Sequence, residues 1–179
     1  MTNEELWQLF PIEISEHKKY WKDYYKEERS TLKKILGKDL LQIHHIGSTA
    51  IPNIPAKPTI DILIEIKDET DIERFIQKMQ SAGYIYSPQP KNPAPHMMFM
   101  KGYTQQGFAE KVFHVHIRYS GNWDEIYFRD YLLSHPQTAK EYGELKLKLA
   151  KQFRHNRDGY TAAKTGFITK ITNLAKSRI

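Results

Sequence analysis

Apolar and polar positions recur with two different periods along this chain, and each change of period marks an element. From residue 13 to 36, Ile14, Trp21, Tyr25, Leu32 and Ile35/Leu36 recur at near-helical spacing, and Gly37 follows as a stop. "LLQIHHI" (40–46) and "TIDILIEI" (59–66) are rich in apolar and β-branched residues, and the Gly/Pro/Asn-containing segment between them suits a connection between neighbouring strands. "DETDIERFIQKMQSAG" returns to the helical period, with Ile72, Phe75, Ile76 and Met79 inward and Gly83 at its end. A strand-like "YIYS", the proline-broken loop "PQPKNPAP" and two further strands, "HMMFMKG" and "KVFHVHIRYS", come next. The remainder is helical. Pro136 stands where a helix can begin, Tyr142, Leu145 and Leu149 share one face, and Phe167, Ile171 and Leu174 repeat that pattern. The order of helix, two strands, helix, three strands and helical end predicts an α+β fold with a mixed or antiparallel sheet flanked by helices.

Composition adds bounds. A chain of 179 residues, 40% hydrophobic and 27% charged, reads as one domain over 1–179, with an α/β core to residue 135 and basic helices from 136 packed on it. The sequence contains no Cys, which excludes disulfides, thiolate zinc sites and cysteine nucleophiles. The start has no basic segment followed by an apolar one, and no run of 18 apolar residues occurs, so the expectation is a cytoplasmic protein without a membrane partner. The formal charge of +6 is unevenly placed: residues 1–135 carry 17 Lys/Arg against 18 Asp/Glu, and residues 136–179 carry 10 against 3. A basic end is either a set of solvated helix faces or an attraction for phosphates.

The stretch "HHIGSTAIPNIPAKPTIDILIEI" carries the most chemistry. Gly47 can expose backbone N–H groups to a phosphate, the hydroxyls of Ser48 and Thr49 can add donors, and Asp61 on the adjacent strand can hold a divalent ion, Mg²⁺ or Mn²⁺, that bridges phosphate oxygens. Neither G-x-G-x-x-G nor G-x-x-x-x-G-K-[ST] is present, so the dinucleotide and P-loop routes to phosphate are closed. An apolar residue, Gly-Ser, a spacer of 9 to 13 residues and an Asp in an apolar strand together resemble the signature of the nucleotidyltransferase superfamily.

The wider chain resembles a particular group within it. "HIGSTAIPNIPAKPTIDILIEI", "HVHI", "NWDEIYFRDYLLSHPQTAKEYGELKLKLA" and "YTAAKTGFITKI" are similar to successive blocks of the GrpB family, in family order, across roughly residues 10 to 175. This resemblance implies a nucleotidyltransferase-type core, and with it a nucleoside triphosphate or phosphorylated metabolite as ligand.

One position departs from the superfamily pattern. Residues i and i+2 of a strand share a face about 7 Å apart, the spacing with which two carboxylates hold two metal ions. Here the second position is Leu63, and Glu65, about 13 Å from Asp61 along an extended strand, is too distant to share an ion. His114 and His116 share a strand face and are the candidates to complete a catalytic and metal-binding set with Asp61. His45 either approaches the same site or bonds within the turn. Lys57, Arg118, Lys146 and Lys164 are candidate phosphate contacts, and Arg129–Asp130 fits an ion pair between helix and core. Three functions are compatible with this pattern: metal-assisted nucleotidyl transfer, a nucleotide-binding module that has lost catalysis, and RNA binding by the basic helices.

Overall fold

The computed structural model describes residues 2–178. Helix α1 (Asn3–Leu9) and helix α2 (Tyr20–Leu36) lead into strand β1 (Leu40–Ile46), and a short 3-10 turn at Ser48–Ala50 precedes strand β2 (Thr59–Ile66). Helix α3 (Ile72–Ser81), the strands β3 (Ile85–Pro88), β4 (Met97–Thr104) and β5 (Gly107–Tyr119), and the helices α4 (Asp124–Ser134), α5 (Pro136–Gln152) and α6 (Arg157–Ser177) complete the chain. The five strands form one sheet in the order β1-β2-β5-β4-β3. The β2–β5 pair is parallel and the other three pairs are antiparallel, which makes the sheet mixed.

Strand β2 sits second from one edge and is covered on both faces, which explains why it reads as a nearly unbroken apolar run. Its even positions, Ile60, Ile62, Ile64 and Ile66, pack with Trp21, Leu32 and Leu36 of α2 and with Phe75 and Met79 of α3. Its odd positions face the other way, where the C-terminal helices lie. Ile51 and Ile54, from the segment after the Gly-Ser turn, are buried among Phe128, Leu132, Tyr142 and Ile171 of α4, α5 and α6. The turn is therefore clamped between the sheet and the C-terminal helices. Asp71 caps α3 by accepting from Arg74 N at 3.2 Å, which starts that helix four residues later than the composition of the segment suggests.

Two departures from the sequence reading concern the N-terminal third. Helix α2 begins at Tyr20 rather than at residue 13, because residues 11–19 take an irregular path in which Ser15 bridges Ala56 and Ile14 packs with Leu149 and Tyr160. Ile14 thus belongs to a different cluster from Trp21. Helix α1 is an addition that no apolar period announced; it is held by a capping box between Thr2 and Glu5.

Candidate functional site

The site is built on the odd face of β2 and the same face of β5. The parallel register sets Asp61 opposite His114 and Leu63 opposite His116, so one carboxylate and two imidazoles converge. His116 Nε2 lies 3.5 Å and His114 Nδ1 3.7 Å from Asp61 Oδ1. Gly47 closes the third side. Its φ is +72°, and a Cβ there would stand 2.7 Å from Asp61 Oδ2, so the residue is glycine both for its backbone and for the space the carboxylate occupies.

Behind His114 runs a hydrogen-bonded relay that starts at Arg157, the first residue of α6. Arg157 Nη1 donates to the Tyr103 oxygen at 3.5 Å, and the Tyr103 hydroxyl lies 2.6 Å from His114 Nε2. With Arg157 already donating to that oxygen, the hydroxyl proton serves Nε2, which leaves the His114 proton on Nδ1, toward Asp61. Desolvation lowers the His114 pKa to about 4 against the opposing pull of Asp61, so the ring is neutral near pH 7. Burial alone would raise the Asp61 carboxyl, but His116, His114 and Lys57 together hold it below its usual value, and it is ionised.

A cavity of about 330 Å³ opens against this cluster, and its remaining walls are cationic. Lys57, Lys146 and Lys164 line it, together with Ser48, Tyr142 and Tyr160. None of the three lysines forms an ion pair among the described residues. Lys57 and Lys164 stand over the Tyr160 ring at 5.3 and 4.4 Å, and Lys146 donates to the Pro55 carbonyl at 2.6 Å. Desolvation, reinforced by Lys164 and Arg157, brings Lys57 down to about 8, and burial likewise depresses Lys146 and Lys164. The Tyr160 hydroxyl is buried with no hydrogen-bond partner among the described residues. A second cavity, of about 280 Å³, shares Gly47, Asp61, His116 and Tyr142 with the first and continues to Phe128, Ile168 and the carboxylates of Asp124 and Glu125.

Gly47, Ser48, Thr49, Lys57, Asp61, His114, His116, Lys146 and Lys164 therefore line one cavity although up to 117 positions separate them in sequence. His45 and Arg118 do not line this cavity, and of its two expected places His45 takes the one that bonds within the turn. His45 pairs with Ile62 and so emerges on the opposite face of the sheet, where its ring stacks on Tyr25 at 4.6 Å and its Nε2 meets Thr49 Oγ1 at 2.9 Å. Arg118 shares the strand face of His114, but it is 2% exposed and is held by Glu125 at 3.0 Å and by the Ile117 carbonyl. Arg129 pairs with its neighbour Asp130 on the same helix, at 2.8 Å, so this is not the expected ion pair between helix and core; its link to the sheet is a donation to the His45 carbonyl at 3.2 Å. Tyr103, Arg157 and Tyr160 escaped the sequence reading because no local spacing links them to Asp61.

The donor set also bears on the metal. Mg²⁺ takes oxygen ligands in near-octahedral geometry, whereas this cavity offers one carboxylate, two imidazoles and three ammonium groups. Glu65 is committed to His44 at 2.9 Å and to Gly121 N at 3.0 Å, and Leu63 is fully buried. Among the described residues, no set of three or more His, Asp or Glu side chains is arranged to hold a metal ion.

A Gly-Ser turn set against an aspartate on a central strand of a mixed sheet, with helices on both faces, defines a nucleotidyltransferase-like fold. A crystal structure of the Cid1 poly(U) polymerase bound to MgATP shares this fold, with a TM-score of 0.52 and 15% identity over 84% of this chain and 46% of that one. The chain belongs to the GrpB family, whose model, described as GrpB protein, matches residues 11–174. It is 33% identical to the glutamate-rich protein GrpB of Alkalihalophilus pseudofirmus, over 88% of this chain and 91% of that protein. It is 36% identical to UPF0157 protein YqkA of Bacillus subtilis over 94% of this chain, and spans about half, 49%, of that longer relative. The crystal structure of conserved protein GrpB from Enterococcus faecalis superposes with a TM-score of 0.80 at 28% identity, over 93% of this chain and 98% of that one. No helix among the described residues is long and apolar enough to cross a membrane.

Proposed function

We propose that the cavity around Asp61 binds a nucleoside triphosphate or another phosphorylated metabolite, in the manner of a nucleotide-binding module on a nucleotidyltransferase-like fold. The observation that carries this reading is the set of three desolvated lysines, without carboxylate partners, around a single ionised aspartate. Burying like charges together is costly unless an anion compensates them. Phosphate oxygens compensate Lys57, Lys146 and Lys164 and accept from the Tyr160 hydroxyl, which otherwise has no partner. The adjoining cavity, with Phe128 and Ile168 on one side and Asp124 on the other, suits the apolar and hydroxyl-bearing parts of a nucleoside.

Ammonium groups here occupy the role that a second metal plays in two-metal enzymes, which favours binding over polymerase-type transfer. Transfer remains the second reading, favoured by the ionised Asp61 beside the Gly-Ser turn. In it, a divalent ion brought with the nucleotide would engage Asp61 and offset charge on the reacting phosphate. A thermal-denaturation panel of nucleotides and phosphorylated metabolites, with and without Mg²⁺ and Mn²⁺, separates the two. A ligand at 100 times its dissociation constant adds about 2.7 kcal/mol to stability. Stabilisation without a metal and without product supports binding alone, product formed only with metal supports transfer, and no stabilisation by any phosphorylated compound contradicts both.

A further inference from the structure

A cavity of about 780 Å³ lies on the other side of the Gly-Ser turn and is not part of the site above. One wall is helix α2. Lys19, Lys22, Lys26 and Arg29 recur there at intervals of three and four residues, all exposed and all lining the groove, and Arg129 faces them from α4. No carboxylate lines it among the described residues. The acids of α2 are mostly turned elsewhere: Glu27 pairs with Lys111, Glu28 with Lys101 and Tyr84, and Asp23 stands at the edge of the stripe outside the groove. None of the four stripe cations has an ion-pair partner among the described residues, whereas Arg129 is shared with Asp130. His17, also on the groove, keeps a buried Nδ1 with no hydrogen-bond partner among the described residues. Ile43, Ala50, Pro52 and Leu133 add apolar surface to the lining, beside His45 and Thr49.

We infer that this groove binds a single strand of nucleic acid, its phosphates along the cationic stripe of α2 and its bases against the apolar wall. The length of the stripe argues for a polymer. From Lys19 to Arg29 the helix rises about 15 Å, room for about four nucleotides of a stacked strand. The mixed lining argues for nucleic acid over a plain polyanion, since inorganic polyphosphate has nothing to place against Leu133 and Pro52. An anionic backbone beside apolar base faces matches both the cations and the apolar residues. The inference is independent of what the Asp61 cavity holds, because the two share only Thr49.

Fluorescence anisotropy with labelled single-stranded RNA and DNA of about 12 nucleotides tests it, with inorganic polyphosphate as competitor. Four phosphate contacts predict that affinity falls about 50-fold between 50 and 200 mM salt, and Lys22→Gln/Lys26→Gln, which leaves two, should reduce that to about sevenfold. The control Lys140→Gln/Lys170→Gln removes the same charge from exposed positions on α5 and α6 and should leave binding as in the parent. Leu133→Ser should weaken the nucleic acid at least about threefold and leave polyphosphate unaffected. The inference is overturned if neither strand binds at low salt, or if the control pair abolishes binding while the α2 pair does not. It is also overturned if polyphosphate competes as well as RNA and Leu133→Ser changes nothing, which would mark a non-specific polyanion surface.

Discussion

At the scale of single residues, the site depends on what Gly47 lacks. A methyl group there meets Asp61 Oδ2 at 2.7 Å, and the φ of +72° adds backbone strain for any side chain. Gly47→Ala should therefore cost about 1–3 kcal/mol of stability and also push the carboxylate off its two imidazoles. Denaturant unfolding together with the NMR chemical shifts of the His114 and His116 ring protons reads both effects; a variant with parental stability and unchanged ring shifts would show that the close approach is not needed. The presence of Gly-Ser and Asp61 was legible in the sequence because the motif is local and the strand spacing is regular. The reason for the glycine was not, since it depends on which atom of a strand residue twelve or more positions away fills the space.

At the scale of elements, runs of apolar and β-branched residues predicted the strands, but such runs do not record direction. That β2 and β5 run parallel follows from the path through α3 and the β3–β4 pair, and no residue of "FHVHI" announces it. Face assignments by alternation held for Asp61, His114 and His116 and misled for Arg118, where a shared face did not mean a shared cavity because Glu125 of α4 holds the guanidinium. The joint between α5 and the loop before β2 carries a similar packing constraint. Gly143 sits so close to Pro55 that a Cβ would meet its Cδ at 2.8 Å, and one turn along α5 Lys146 donates to the carbonyl of that proline. Gly143→Ala should lift α5 from the loop, lower stability by about 1–3 kcal/mol and move the Lys146 amine away from its cavity. Calorimetric melting and the affinity for inorganic triphosphate should both fall; a drop in melting alone would detach Lys146 from the ligand site.

Over the whole molecule, the charge asymmetry seen in the sequence has two destinations. Of the ten basic residues after position 135, Lys146 and Lys164 turn into the Asp61 cavity and Arg157 reaches Tyr103 and Phe10, so part of the excess that suggested a basic face is internal. A further open cationic surface lies on α2, within residues 1–135, whose net charge is near zero, where Glu27 and Glu28 pair across to β5 and β4. Net charge by segment could not show this, since helical faces separate charges that a sum combines. The central claim, that desolvated lysines wait for phosphate beside Asp61, has a signature in proton linkage. Lys57 titrates near 8 in the folded protein and 10.5 in the unfolded chain, so the unfolded state binds more protons over that window and the unliganded protein gains stability as pH rises through it. A bound phosphate reverses the balance by raising the amine's pKa, so binding must take up protons, and affinity must fall as pH rises above 8. Isothermal titration of inorganic triphosphate at pH 8, in two buffers of different ionisation enthalpy, measures that uptake directly. The expected result is net proton uptake on binding, reduced in Lys57→Met because Lys146 and Lys164 still contribute, and binding without uptake, or no binding at all, would contradict it.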